Sequence, residues 1–116
     1  MNLPHLKPVR FVNDIISCDG DKAKVSCTFP YLPTLAMMIE ASAQSSVAFS
    51  KDEVSRIGFL VLVKDVELFR EFQELDCIIS LKQTFALGDQ FEFHFELFDH
   101  NEDNVFASGS FMILLQ

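Results

Sequence analysis

The sequence predicts one α+β domain in which a curved antiparallel sheet of about six strands wraps around one long central helix. Its 116 residues are close to the usual size of a single domain, so we assign residues 1–116 to one unit. Hydrophobic residues make up 49% of the chain and include 13 Phe, which is too apolar for a disordered protein. Most of these residues fall in short strand-like runs, and only one segment favours a helix.

The predicted strands are runs of β-branched and aromatic residues bounded by turn signals. Asp19 and Gly20 form a hairpin signal between the first two runs. In the fifth run, Phe93 and Phe95 alternate with acidic residues and His94, as expected for a strand with one buried face. The strands are predicted at residues 9–17, 22–29, 57–69, 77–87, 91–98 and 105–115.

The helix is predicted from residue 35 to about residue 49, with Thr34 as its N-cap. Between residues 29 and 50 the only charged side chain is Glu40. A surface helix usually carries charge on its outer face. We therefore expect other structure to surround this helix on nearly all sides.

The charge distribution limits the classes of partner. A net charge of −8 repels a phosphate backbone, so we do not expect nucleic acid binding. All 9 basic residues lie in the first 82 positions, so an anionic partner must bind the first two thirds of the chain. No stretch approaches the roughly 18 apolar residues of a membrane span, and residues 1–10 lack a signal-peptide pattern. We expect a cytoplasmic protein.

The three cysteines, Cys18, Cys27 and Cys77, are an odd number without Cys-x-x-Cys spacing. This pattern disfavours both a disulfide framework and a zinc site. We interpret the cysteines as small buried hydrophobic residues. A nucleophilic thiol is the alternative at Cys27, but no neighbouring cation in the sequence activates it. We expect neither a metal nor a cofactor.

An unpaired carboxylate in an apolar helix is costly, so Glu40 needs an explanation. One interpretation is a general acid or base tuned by burial. The other is a side chain that reaches solvent or is satisfied by backbone N–H groups. Composition does not fix the rotation of the helix, so both interpretations stay open at this stage.

Two segments resemble the 3-hydroxyacyl-acyl-carrier-protein dehydratases. The first is Leu-Pro-His at residues 3–5, followed by Pro8 and an apolar strand. The second is Phe-Pro at residues 29–30, Pro33 and the run MIEASAQ at residues 38–44, which resembles the Glu-Ala-x-Ala-Gln run of that family's central helix. The resemblance implies a hot-dog fold, an acyl-thioester substrate and Glu40 as the acid/base, with Gln44 as its hydrogen-bonding support.

The family's catalytic His, which precedes the Phe-Pro pair, is missing from this sequence. Thr28 occupies that position, or Ser26 if the alignment gap falls elsewhere. A hydroxyl group is too weak to act unaided as the base. The chain is similar to a branch of the family that lacks this His. The resemblance thus implies a dehydratase-like protein of fatty-acid or polyene-type acyl biosynthesis. The alternatives are a non-catalytic partner or acyl-binding subunit of a His-containing dehydratase, or a hot-dog thioesterase.

The three histidines of the chain are weaker candidates than Glu40 for an acid/base role. His5 belongs to a motif that is normally structural in the family, although it is the one candidate to replace the missing base. We expect His94 to be solvated or paired across strands. His100 lies in an acidic turn that lacks the spacing of a calcium loop, so we expect it to be solvated.

Candidate substrate-contacting residues are Gln44, Met37, Pro33 and Phe59, although aromatic and Met residues at such positions are more often plain core. We expect carrier-protein docking at Lys51, Arg56 and Lys64, with scattered surface charges as the alternative. A single sheet around one helix leaves an edge strand and an apolar flank exposed. We therefore expect a two-fold dimer or a higher oligomer, with an acyl carrier protein or a dehydratase subunit as further partners.

Overall fold

A computed structural model describes residues 11–49, 58–71 and 73–115, apart from the side chains of residues 47, 58, 59 and 115. These ranges form a six-stranded antiparallel sheet and one α-helix, which confirms the predicted class. The elements are β1 (Val12–Asp19), β2 (Lys22–Thr28), α1 (Leu35–Ser45), β3 (Gly58–Leu68), β4 (Asp76–Leu87), β5 (Gln90–Asp99) and β6 (Val105–Leu115), with a 3-10 turn at Ser46–Phe49.

The strands lie in the order β1-β2-β4-β5-β6-β3, so β1 and β3 are the edges of the sheet. Tight hairpins join β1 to β2 and β4 to β5, and each turns at a glycine with positive φ, Gly20 at 63° and Gly88 at 60°. Both edge strands are irregular, since β1 and β3 each contain two register shifts. Within β3, Asp65 adopts a φ of 55°, which is uncommon for a residue with a side chain.

The core lies on one face of the sheet, which we call the inner face, and α1 packs against that face. Alternate residues of β2, β4, β5 and β6 are buried there, together with Met38 and Ala41 of the helix. Phenylalanine rings form much of the contact, with ring centroids of Phe95 and Phe111 6.0 Å apart. Each fully buried large apolar side chain contributes about 1.5–3 kcal/mol. The opposite, outer face carries the polar members of each alternation.

The α-helix is shorter than the sequence predicts, with 11 residues rather than about 15. Thr34 caps it as expected, its hydroxyl accepting the N–H of Met37 at 3.2 Å. At the other end, the hydroxyls of Ser45 and Ser46 donate to the carbonyls of Ala41 and Ala43. Such bonds compete with the helical ladder, and the chain tightens into the 3-10 turn. In the described ranges, no helix is long and apolar enough to cross a membrane.

The expectation that α1 is surrounded on nearly all sides is wrong for the single chain. Leu35, Ala36 and Glu40 are exposed, because one sheet covers only one side of a helix. The expectation of three buried cysteines also fails in part. Cys27 and Cys77 are buried, but Cys18 is exposed on the edge strand β1.

Gly109 of β6 provides a test of this packing. A Cβ at this position would lie 2.9 Å from atoms of the Phe95 ring and the Val66 side chain. We predict that Gly109→Ala lowers the free energy of unfolding by about 1–3 kcal/mol, measured by urea denaturation. The matched control, Ser108→Ala on the outer face, should change it by less than about 0.5 kcal/mol. An unchanged midpoint for Gly109→Ala would contradict the close packing of β5, β6 and β3.

Candidate functional site

Glu40 lies on the exposed face of α1, about one and a half turns from the helix start at Leu35. The neighbouring exposed residues of that face, Leu35 and Ala36, are apolar. The loop that leads into the helix is apolar and exposed as well, with 64% of Tyr31 and 55% of Leu32 accessible. The carboxylate therefore lies in an apolar surface that the single chain leaves open.

Gln44, one turn after Glu40, connects the helix to the first strand. Its amide oxygen accepts the backbone N–H of Phe11 at 2.9 Å, and the Phe11 ring packs against Phe29 with centroids 5.2 Å apart. This bond satisfies a backbone donor just before β1. In the single chain Gln44 thus has a structural contact, and its predicted support of Glu40 stays a prediction.

Thr28 and Ser26, the two candidates for the missing His position, lie on the outer face of β2. The Thr28 hydroxyl donates to Asp76 at 2.8 Å and accepts from Asn13 at 2.6 Å. Between them in sequence, Cys27 points to the inner face and lies 3.6 Å from the Ser45 hydroxyl of α1. Because side chains alternate along a strand, Thr28 and Ser26 face away from the helix. The structure does not bring either hydroxyl together with Glu40.

The two described histidines are both engaged away from Glu40, and His5 lies outside the described residues. His94 is half-buried on the outer face, with Nδ1 3.4 Å from the Ser110 hydroxyl. His100 is exposed in the turn after β5, with Nδ1 2.8 Å from a carboxylate oxygen of Glu74. That hydrogen bond and the charge of Glu74 raise the pKa of His100.

Cys27 is a packed thiol rather than an exposed nucleophile. It lies opposite Cys77 in the register of β2 and β4, and both side chains are 1% exposed. The hydrogen bond between the two thiols, together with burial, raises the pKa of Cys77, whereas the same hydrogen bond lowers the pKa of Cys27. Because its side chain is almost completely buried, Cys27 is not accessible as a nucleophile in the single chain.

The remaining predicted contact residues are only partly within the described structure. Met37 is half-buried against the core, and Pro33 is half-buried in the loop before α1. Phe59 lies in β3, but its side chain is outside the described residues, as are Lys51 and Arg56.

Lys64, the third predicted docking residue, is on the outer face and forms an ion pair with Glu92 at 3.0 Å. The hydrogen bond to Glu92 and the charge of that carboxylate raise the pKa of Lys64. The role of these three basic residues in carrier docking stays a prediction.

A polar cavity on the outer face is a feature that the sequence analysis missed. Its volume is about 230 Å³, and it is lined by Lys22, Ser80, Leu81, Lys82, His94 and Glu96. These residues come from β2, β4 and β5; β4 and β5 form a hairpin, but β2 is far from both in the sequence. The register between neighbouring strands places these residues side by side. The alternation of buried and exposed residues along each strand does not determine that register.

Comparisons with known proteins determine the fold. No family model and no curated protein matches the sequence. Among solved structures, the dehydratase heterocomplex ApeI:P from Xenorhabdus doucetiae is similar over 98% of this chain and 88% of that one, with a TM-score of 0.80 and 17% sequence identity. The chain has a hot-dog fold. This finding agrees with the fold that the resemblance implied.

Other hot-dog proteins share the architecture at lower similarity. The HP0420 homologue from Helicobacter felis has a TM-score of 0.65 and 17% identity, over 89% of this chain and 87% of that one. A hypothetical thioesterase protein with coenzyme A from Streptococcus pneumoniae has a TM-score of 0.68 and 7% identity, over 89% of this chain and 84% of that one. Hot-dog proteins with this arrangement thus include both dehydratase and thioesterase structures.

The His100–Glu74 pair predicts a specific pH dependence. Because the pKa of His100 is raised in the folded chain, the pair stabilises the fold fully below the unfolded His pKa of about 6.5. This stabilisation is lost as the pH rises through the folded-state pKa. We predict that Glu74→Gln lowers the pKa of His100 in an NMR titration. Glu71→Gln, at a nearby exposed position, serves as the control. Equal His100 titrations in wild type and Glu74→Gln would contradict the pairing.

Proposed function

We propose that this chain is an acyl-thioester-handling, dehydratase-like subunit in acyl-chain biosynthesis, with Glu40 as its acid/base group. The observation that carries the proposal is the position of Glu40, the lone charged residue of α1, on an exposed apolar helix face of a hot-dog chain. The fold likeness to the dehydratase heterocomplex ApeI:P supports the reaction class. A second subunit that covers this face completes the site.

The proposed reaction converts a 3-hydroxyacyl thioester to an enoyl thioester and water. A base removes the α-proton, the C–O bond breaks as a proton is delivered to the departing hydroxyl, and a C=C bond forms. These steps require acid and base groups positioned on the substrate. Glu40 supplies one of them. Backbone N–H groups at the start of α1, near Leu35, are suited to polarise the thioester carbonyl.

The second acid/base group is the part that this chain does not supply within its described residues. Thr28 and Ser26 lie on the outer face, and the described histidines are engaged elsewhere. We infer that the group is a His of a partner subunit, in keeping with the similarity of the chain to the dehydratase heterocomplex ApeI:P. The alternative role, a non-catalytic partner that keeps the fold but not the chemistry, differs only in whether Glu40 takes part.

Glu40→Gln separates these two roles. The assay follows enoyl formation from 3-hydroxyacyl thioesters, with the chain alone and mixed with a His-containing dehydratase subunit. We predict that the mixture loses about 10²- to 10⁴-fold in rate with Glu40→Gln, because a positioned acid/base group is removed. Since Glu40 is exposed in the single chain, the variant should fold normally, which circular dichroism checks.

The control is Glu71→Gln, which removes the same charge from an exposed site outside α1 and should leave the rate unchanged. Full activity of the Glu40→Gln mixture would contradict the acid/base role and support the non-catalytic partner. Release of free thiol without enoyl formation would instead favour a thioesterase, a class also found among the structural neighbours.

The second subunit is proposed to add at the β3 edge. In β3, Leu60, Val61 and Leu62 are exposed although apolar, with 52% of Val61 and 47% of Leu62 accessible. Residues 58–63 carry no charge, whereas the other edge strand, β1, contains two aspartates. An uncharged, apolar strand with an unpaired edge is suited to strand addition.

Sedimentation velocity tests this interface. We predict that the wild-type chain sediments at twice its mass at micromolar concentration, and that Val61→Lys sediments as a monomer because a charge blocks edge pairing. The matched control is Ile16→Lys on β1, where the side chain is equally exposed at 51% and the dimer should persist. A dimeric Val61→Lys would overturn the assignment to β3, and a monomeric wild type would contradict self-association at this edge. In the latter case, Val61→Lys should still prevent co-sedimentation with the His-containing subunit.

A further inference from the structure

Basic side chains form a row across the outer face of the sheet. In the register, Lys22 of β2 is opposite Lys82 of β4, and Lys82 is opposite His94 of β5. The row continues through Ser110 of β6 to Lys64 of β3. We call these five residues the outer-face row. The same face also carries the carboxylates of Glu92 and Glu96, so an anion could bind only where a lysine is not already paired with one of the carboxylates.

Within residues 11–49, 58–71 and 73–115, two lysines of this face form an ion pair with a carboxylate and two do not. Lys24 pairs with Glu102 at 2.7 Å, and Lys64 pairs with Glu92 at 3.0 Å. Among the described residues, Lys22 and Lys82 have no carboxylate within 4.0 Å. Like charges directly opposite each other on neighbouring strands are destabilising. The pair is therefore a site where an added anion gains attraction from both ammonium groups.

The unpaired lysines border the cavity of about 230 Å³. Its other polar lining groups are the Ser80 hydroxyl, the His94 ring and the Glu96 carboxylate. His94 uses Nδ1 for the Ser110 hydroxyl, which leaves Nε2 for other hydrogen bonds. The cavity volume is several times the roughly 30 Å³ that one water molecule occupies in the liquid, so the cavity is large enough for a phosphate group. All of these residues lie on three paired strands, which fix the positions of their main-chain atoms relative to one another.

The geometry points to a binding site for the phosphate group of a small phosphorylated ligand, held by Lys22, Lys82 and His94. Phosphate matches the site because its two charges meet two ammonium groups and its several oxygens accept from the hydroxyl and imidazole donors. Glu96 and Asp19, the latter opposite Lys22 on β1, flank the lysines with negative charge. They favour a small ligand over an extended polyanion. The site faces away from α1, so it is separate from the proposed Glu40 site.

Titration with inorganic phosphate at constant ionic strength tests the site. We expect saturable binding by the wild-type chain in calorimetry or NMR, and a matching rise in the thermal midpoint. Lys22→Gln and Lys82→Gln should each weaken binding about tenfold, because each removes a charged hydrogen-bond donor. Lys24→Gln is the matched control: it removes the same charge from the same face, but from a lysine already paired with Glu102, and should change binding by less than about twofold.

A variant that is expected to bind phosphate more tightly tests the site without relying on a loss of binding, which misfolding could also cause. Glu96→Gln removes the carboxylate that lines the cavity, so phosphate should bind several-fold more tightly than to the wild type, whereas Glu71→Gln, with the same change in net charge, should have no effect. No saturable binding by the wild type, or equal weakening by all three lysine variants, would overturn the proposal.

The source of the phosphate is distinguished by two larger probes, coenzyme A and dephospho-coenzyme A. If coenzyme A binds more tightly than dephospho-coenzyme A, and Lys82→Gln abolishes that difference, the bound group is the 3′-phosphate of the nucleotide. Binding of inorganic phosphate with no gain from coenzyme A identifies a different phosphorylated small molecule. Coenzyme A binding that Lys22→Gln and Lys82→Gln leave unchanged excludes coenzyme A as the ligand of the outer-face site and places it at another site of the chain.

Discussion

Alternation of side chains across one sheet is the constraint on which the rest of this structure depends. Because α1 covers only the inner face, the position of a residue along its strand decides whether it meets the helix. Cys27 contacts Ser45 of the helix, while Thr28, its neighbour in sequence, bonds to Asp76 and Asn13 on the outer face. The same rule separates the proposed Glu40 site from the cavity that Lys82 borders.

The sequence was sufficient for most of the fold because strands and hairpins are encoded locally. All six strands and the helix were predicted, and their observed ends differ from the predicted ones by only a few residues. The helix end was missed because serine hydroxyls such as that of Ser45 turn back to the main chain, a contact that composition does not reveal.

The candidate site was less predictable than the fold, for two physical reasons. The rotation of α1 is not encoded by periodicity, since nearly all its side chains are small or apolar, and so the exposure of Glu40 emerged only from the structure. Contacts across strands depend on register, so nothing in the sequence joined Lys22 to Lys82 and His94. By contrast, the sequence directly shows Thr28 where the dehydratases that it resembles have a His, and this difference directs attention to a second subunit.

The irregular edge strands have a consequence for how this protein associates. A sheet with two straight, apolar edges is a template for unlimited stacking, and such chains form filaments or amorphous aggregates. Here the two register shifts of β1 and the left-handed backbone at Asp65 in β3 bend each edge away from a straight ladder. Growth along the sheet is thereby limited to short complementary stretches, which favours closed assemblies of defined size and keeps an apolar, Phe-rich chain from polymerising.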